Sequence, residues 1–288
     1  MSRIPDTPTG FCGRDEELQL LCDHSASGGV MIITGMPGMG KTVLAAELAR
    51  ELHKGAFADT VAWLSCKPGW NDMDFLSSVQ NAIAQCSGLK KYQLIKPEPA
   101  LLAEAVQECS IALFVDDFHL VESQDTISFI SLCREQLSGA LLVIVTRKKP
   151  ALPPVTLAEI FHHQIRGLSA GDSRELIRTI FQAQRSKISP ETPELCRLLE
   201  GHPYALKLAA GLILSGQFTC AELEKSASGL TEQLNEHLMS RMCDSLTAEA
   251  GEILNHLSLL RVPVSNALLE SFLSRSCRTD LRLLHDHC

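Results

Sequence analysis

Two kinds of hydrophobic pattern alternate through the first half of the chain. Residues 30–34, 60–65, 111–117 and 141–146 are short, nearly unbroken apolar runs rich in β-branched side chains. Runs of that kind suit strands buried on both faces of a sheet. Between them the apolar positions fall three and four residues apart. Leu44, Leu48 and Leu52 form one such stripe, Phe75, Leu76, Val79 and Ile83 a second, and Ile127, Ile130 and Cys133 a third. These spacings predict helices packed by one face. Further short helices are expected from Phe11 to Leu18, carrying on through Leu20 and Leu21, and over 101–109. Lys67-Pro68-Gly69 breaks the chain after the second strand, residues 90–99 read as a surface loop, and a weaker strand is expected over 163–168. Strands that alternate with helices predict an α/β class, with a parallel, doubly wound sheet.

Beyond Ser169 the period becomes purely helical. Ser169 and Asp172 have capping-box spacing ahead of Leu176, Ile177, Ile180 and Phe181. Ser189-Pro190 is expected to open a second helix that Gly201 ends. Pro203 opens a third, through Leu206, Ala209, Ile213 and Leu214. Helix candidates at 234–243, 247–257 and 265–273 then begin a third unit that reads as incomplete, without a final hairpin. The expected domains are 1–165, 166–233 and 234–288.

The stretch between the first strand and its helix carries the chemistry. Gly35-Met36-Pro37-Gly38-Met39-Gly40-Lys41-Thr42, followed by Val43, fits the G-x-x-x-x-G-K-[ST] phosphate-loop pattern. Glycines let successive amides turn toward a polyphosphate, and the helix N-terminus adds partial positive charge. Lys41 would reach the β- and γ-phosphates, and the Thr42 hydroxyl would ligate Mg²⁺. The third strand ends in Asp116-Asp117, at the sheet edge where ligands of open α/β folds bind. Asp116 is expected to hold the Mg²⁺ shell, and Asp117 to orient or deprotonate the attacking water. Adjacent strand residues face opposite ways, so the chain must bend there for both to serve. Arg147, at the end of the fourth strand, would sense the γ-phosphate. His162 and His163 on a strand would face opposite sides, which argues against a shared metal or acid–base site.

Composition narrows the partners. The 288 residues are 45% hydrophobic and 21% charged, as in an ordinary globular protein, and the net charge of −8 weighs against a dedicated nucleic-acid binder. The 11 cysteines are odd in number, irregularly spaced and without a C-x-x-C pair, which fits core thiols in a reducing compartment. The tail His285-Asp286-His287-Cys288 has metal-ligand residue types but no partner cluster. No apolar run is long enough to cross a bilayer, and residues 1–10 lack a signal-peptide core. A cytoplasmic protein with no membrane partner is expected.

The order of motifs resembles the STAND class of P-loop ATPases, of the NB-ARC type found in plant disease-resistance proteins, animal apoptosome scaffolds and bacterial regulators. The resemblance is carried by the hhGRxxE-like segment from Phe11 to Glu17, by GMPGMGKT at 35–42 and by LFVDD at 113–117. VTR at 145–147 and Gly201-His202-Pro203 complete it. It implies a five-stranded parallel core sheet, a helical domain and a partial winged helix. Phe11, Cys12 and Arg14 would lie by the adenine, and Gly201 and Pro203 would close the pocket from the helical domain. It further implies ATP or ADP with Mg²⁺ as cofactor. ADP would hold a closed monomer; exchange for ATP would drive homo-oligomer assembly, and slow hydrolysis would reset the switch. An effector or sensor partner is also implied. Cys12 departs from the family's usual aliphatic residue, and Leu284-His285-Asp286 resembles its Met-His-Asp motif. One alternative is a DNA-associated P-loop ATPase of the transcription-activator or origin-binding type. Arg275, Arg278 and Arg282 would support it, but Glu270, Asp280 and Asp286 offset their charge. A small-molecule phosphotransferase would not need the helical tail.

Overall fold

The computed structural model describes residues 4–6, 11–55, 60–87, 96–153, 160–183, 192–214, 216, 251–254 and 257. The chain forms two compact units, Met1–Arg166 and Gly167–Cys288.

The first unit is built on five parallel strands: β1 (Gly29–Thr34), β2 (Val61–Ser65), β3 (Ala112–Asp116), β4 (Leu141–Thr146) and β5 (Phe161–Gln164). Their order across the sheet is β2-β3-β4-β1-β5. The two-residue side-chain period sorts each apolar run onto two faces. Val30, Ile32, Leu113, Val115, Leu142 and Ile144 meet Phe75, Val79, Val106 and Phe129. These come from α3 (Asp72–Ser87), α4 (Pro99–Glu108) and α5 (Gln124–Gln136). Met31, Ile33, Phe114, Val143 and Val145 instead meet Leu44 and Leu48 of α2 (Lys41–Lys54) and Leu21 of α1 (Asp15–Ser25). Burial on both sides is why the four stronger strands read as unbroken apolar runs.

Register brings the strand ends level. Thr34 pairs with Thr146, and Val115 with Ile144, so β1, β4 and β3 finish side by side at the carboxyl edge. Strand β4 lies between β1, which leads into the glycine-rich loop, and β3, which ends in the acids.

Three boundaries differ from the sequence reading. The weak fifth strand is Phe161–Gln164 rather than 163–168, because pairing with β1 sets its extent and its polar FHHQ sequence hides it. Helix α1 starts at Asp15; Gly13 has a positive φ of 70° and Arg14 is the cap, so residues 11–14 are irregular. Helix α4 starts two residues earlier than expected, with Pro99 in its first turn.

The second unit contains α6 (Ala170–Ala183), α7 (Thr192–Leu198) and α8 (Pro203–Leu214). Ser169 caps α6: its hydroxyl accepts the Asp172 N–H at 3.1 Å and donates to the Asp172 carboxylate at 2.6 Å. Gly201 follows α7 with φ 67°, and a Cβ there would meet the Leu168 carbonyl at 2.1 Å, so only glycine fits. The expected helix start at Ser189-Pro190, the boundary at 233/234 and the metal-type tail all lie outside the described residues. So do Leu284-His285-Asp286 and Arg275, Arg278 and Arg282. Among the described residues no helix is long and apolar enough to cross a membrane.

Ile32 is fully buried in the middle of the sheet. Ile32→Ala is expected to destabilise the first unit by ~2–5 kcal/mol, read as a lower denaturant midpoint at unchanged slope. An unmoved midpoint would contradict the placement of β1.

Candidate functional site

Strand β1 hands the chain to the loop at Gly35, whose φ is 155°. A Cβ there would sit 2.4 Å from the Ile165 side chain, so the loop can leave the sheet only as glycine. Met36, Pro37 and Gly38 are exposed, while Met39 is buried against the core formed with α2. The Met39 N–H donates to the Met36 carbonyl at 3.4 Å and closes the turn. Gly40 is left-handed, with φ 88°, and caps α2 without a side-chain hydrogen bond. The first amides of α2 are therefore left to an acceptor from outside the helix. The Lys41 ammonium donates to the Met36 carbonyl at 2.8 Å. Burial holds its pKa below the ordinary lysine value, the charges of Asp117 and Asp116 oppose that, and Arg147 adds to it. Thr42 and Val43, both partly buried, continue the first turn of α2.

The Thr42 hydroxyl donates to Asp116 Oδ1 at 3.1 Å, across the intervening strand β4. Asp116 is only 4% exposed and also accepts the Asp117 N–H at 2.9 Å. Burial, reinforced by the neighbouring Asp117 charge, pushes its carboxyl up to about 6, against the pull of Thr42, the Asp117 amide and Lys41. Asp117 supplies the bend that two adjacent acids require. Its φ of 53° is left-handed and leads into a 3-10 turn, Phe118–Leu120. Its carboxylate is 53% exposed and lies 3.9 Å from His119 Nδ1.

His119 was not singled out from the sequence, and Thr146 entered only within the VTR motif, without a role of its own. Both ring nitrogens of His119 and the Thr146 hydroxyl are buried with no hydrogen-bond partner among the described residues. Burial, with Arg147 nearby, lowers the His119 pKa, which favours a neutral ring. Position could have flagged both residues, since one lies just past the acid pair and the other ends the neighbouring apolar strand. Arg147 follows β4 and is exposed.

The remaining expected residues are spread over both units. Phe11 and Cys12 are partly buried in the irregular segment before α1, and Arg14 is buried. Gly201 and Pro203 belong to the second unit, at the end of α7 and the first position of α8. His162 and His163 do take opposite faces: one ring lies 2.8 Å from the Thr34 hydroxyl, the other 3.1 Å from Glu17.

The residues present fit a magnesium–polyphosphate ligand. Thr42 and Asp116 offer two hard oxygen donors side by side, and a divalent cation would relieve the strained ionisation of Asp116. No cluster of three or more His, Cys, Asp or Glu able to hold a metal occurs among the described residues. Magnesium characteristically takes one or two protein oxygens and completes its shell with phosphates and water.

Residues 10–145 match the family model described as the AAA ATPase domain. The five-stranded parallel sheet of the first unit has the arrangement of the P-loop NTPase fold. A search of curated proteins returns no match. Among solved structures, a signal transduction ATPase with numerous domains (STAND) from Pyrococcus horikoshii, which carries a tetratricopeptide repeat sensor, aligns with 98% of this chain. The alignment has 19% identity and a TM-score of 0.71, and the chain spans 40% of that protein's length. A Walker-type ATPase of Pyrococcus abyssi aligns with 98% of this chain and 92% of its own, at 15% identity and a TM-score of 0.56. At such identities the likeness is one of fold, and that fold is the P-loop NTPase fold.

The buried acid at the end of β3 makes a linkage prediction. Its carboxyl is raised from 3.8 to about 6, so the folded state holds the extra proton between those values and loses stability as pH rises through that window. Asp116→Asn removes the buried charge. The variant is expected to be more stable than wild type at pH 7.5, without ligand, by up to ~3 kcal/mol. That gain should disappear below pH ~4. Urea titrations at the two pH values measure it, and a variant less stable than wild type at pH 7.5 would contradict the stated cause.

Proposed function

We propose that this chain is an ATP/ADP-operated switch of the NB-ARC type with slow ATPase activity, which controls self-assembly in signalling, defence or regulation. The observation that carries the reading is the pairing of Lys41 on the Met36 carbonyl with Thr42 on buried Asp116. Both contacts start from adjacent residues in the first turn of α2, and both are suited to exchange for a magnesium-bound phosphate. Mg²⁺ would supply charge neutralisation on the phosphates when bound. Lys41 would leave the Met36 carbonyl for the β- and γ-phosphates. Thr42 and Asp116 would hold the metal, Asp117 would orient the attacking water and Arg147 would register the γ-phosphate. Phe11 and Cys12 would border the base.

Slow turnover is consistent with an Asp117 carboxylate that is half exposed to solvent. A γ-phosphate that biases two arrangements of the units is physically a two-state switch. The fold shared with a STAND signal transduction ATPase supports the same reading. A homo-oligomer in the ATP state, an unidentified effector or sensor partner and a cytoplasmic location complete it. The DNA-associated alternative depends on terminal arginines outside the described residues and would surface as duplex binding by the purified protein.

Mass spectrometry of the nucleotide carried by the purified protein is expected to find ADP. Light scattering is expected to show a monomer with ADP and a larger particle with a non-hydrolysable ATP analogue. Lys41→Ala should weaken ATP and ADP by roughly 10- to 100-fold, the worth of one or two charge-assisted hydrogen bonds. Undiminished affinity in that variant would remove the loop from the account, and an unchanged particle size would remove assembly.

A further inference from the structure

Arg14 spans three parts of the first unit. Its side chain is 6% exposed. One terminal nitrogen donates to Glu17 Oε2 at 2.5 Å. The other donates to two main-chain carbonyls, that of Met39 at 3.3 Å and that of Arg166 at 2.7 Å. The second oxygen of Glu17 lies 3.1 Å from His163 Nε2 on β5. Burial alone would raise the Glu17 carboxyl, but the contacts with His163 and Arg14 hold it below its usual value and keep it an anion. A guanidinium is always charged and is buried only when its donors are met, so this is a built contact rather than a passing one.

The Met39 contact has a consequence for the loop. Across a planar trans peptide the carbonyl of one residue and the N–H of the next point in opposite directions, and no cis bond occurs among the described residues. A Met39 carbonyl held against Arg14 therefore turns the Gly40 N–H away from Arg14. Gly40, at φ 88°, can accept that peptide orientation where a residue bearing a Cβ would be strained. The Gly40 amide belongs to the turn that opens α2, the part of the loop expected to face phosphate.

We propose that Arg14 is a positioning residue for the phosphate loop: it braces the Met39 peptide from behind and aims the Gly40 amide, with Glu17 and His163 as its own support. Its effect falls on the phosphate half of the ligand. The family resemblance places Arg14 by the adenine instead, and the two roles make different predictions. The inference rests on the reading that this loop binds a polyphosphate.

The test compares three ligands by displacement of a fluorescent ATP analogue: ATP, GTP and inorganic tripolyphosphate, all with Mg²⁺. Arg14→Gln is expected to weaken ATP and tripolyphosphate by the same factor, roughly tenfold, and to leave the ratio of ATP to GTP affinity as in wild type. Arg14→Lys should recover part of the loss, since a single ammonium can donate to the carbonyls but lacks the second nitrogen that Glu17 holds. Glu17→Gln should weaken both phosphate ligands equally, by a smaller factor. If Arg14→Gln does not fold, the Lys and Glu17→Gln variants support the same comparison.

A loss for ATP without one for tripolyphosphate, or a changed ATP-to-GTP ratio, would assign Arg14 to the base and overturn the inference. Unaltered affinity for all three ligands would overturn it as well. The polyphosphate reading fails separately, and takes this inference with it, if wild-type protein binds neither ATP nor tripolyphosphate or if Lys41→Ala leaves both unchanged.

Discussion

A buried carboxylate tied to a loop hydroxyl sets the geometry of this molecule. The Thr42–Asp116 hydrogen bond joins the segment after β1 to the end of β3, with β4 in between. It forms only because three apolar strands finish level at one sheet edge. Hydrophobic burial on both faces supplies the energy that holds those strands in place. Burial keeps that carboxylate where water cannot solvate it and, with the Asp117 charge beside it, raises its carboxyl to about 6 against the pull of Thr42. A group in that condition gains from a nearby cation, and the loop beside it is shaped to bring one with a phosphate.

Two cations grip the carbonyls of the loop. Lys41 holds Met36, and Arg14 holds Met39. The two differ in how readily they let go. Lysine is a flexible point charge partly desolvated in its present place, so a phosphate can draw it off. Arginine is forked, buried and supported by Glu17, so it stays. On the proposed reading, one contact is exchanged for phosphate and the other is kept. A loop whose amides are already aimed loses less entropy on binding than one that must be ordered first. The glycines at 35 and 40 make this possible, one by fitting beside Ile165 and the other by accepting a left-handed turn.

Much of this frame was legible in the residue pattern. The four strongly apolar strands could be read because both faces are buried, and the helices between them because one face is. The fifth strand was displaced in that reading because FHHQ carries little apolar signal, and pairing with β1 rather than hydrophobicity sets its limits. The loop, the acid pair and the need for a bend at Asp117 followed from spacing and alternation. What spacing could not supply was any contact between distant segments. Glu17 meets His163 across 146 residues, and Arg14 meets the Arg166 carbonyl across 152. His119 escaped notice, and Thr146 was given no role, for a related reason: what marks them is the lack of a partner among the described residues after folding, a property of packing rather than of pattern.

The central claim is that main-chain amides of this loop hold a polyphosphate. Amide-resolved NMR with hydrogen exchange, recorded with and without Mg-ADP, tests it at the atoms concerned. The account predicts large shifts and slowed exchange concentrated at Gly38, Gly40, Lys41 and Thr42, with the interior of β3 little changed. Saturating ligand that leaves those four amides exchanging as before, while protecting another part of the chain, would contradict it.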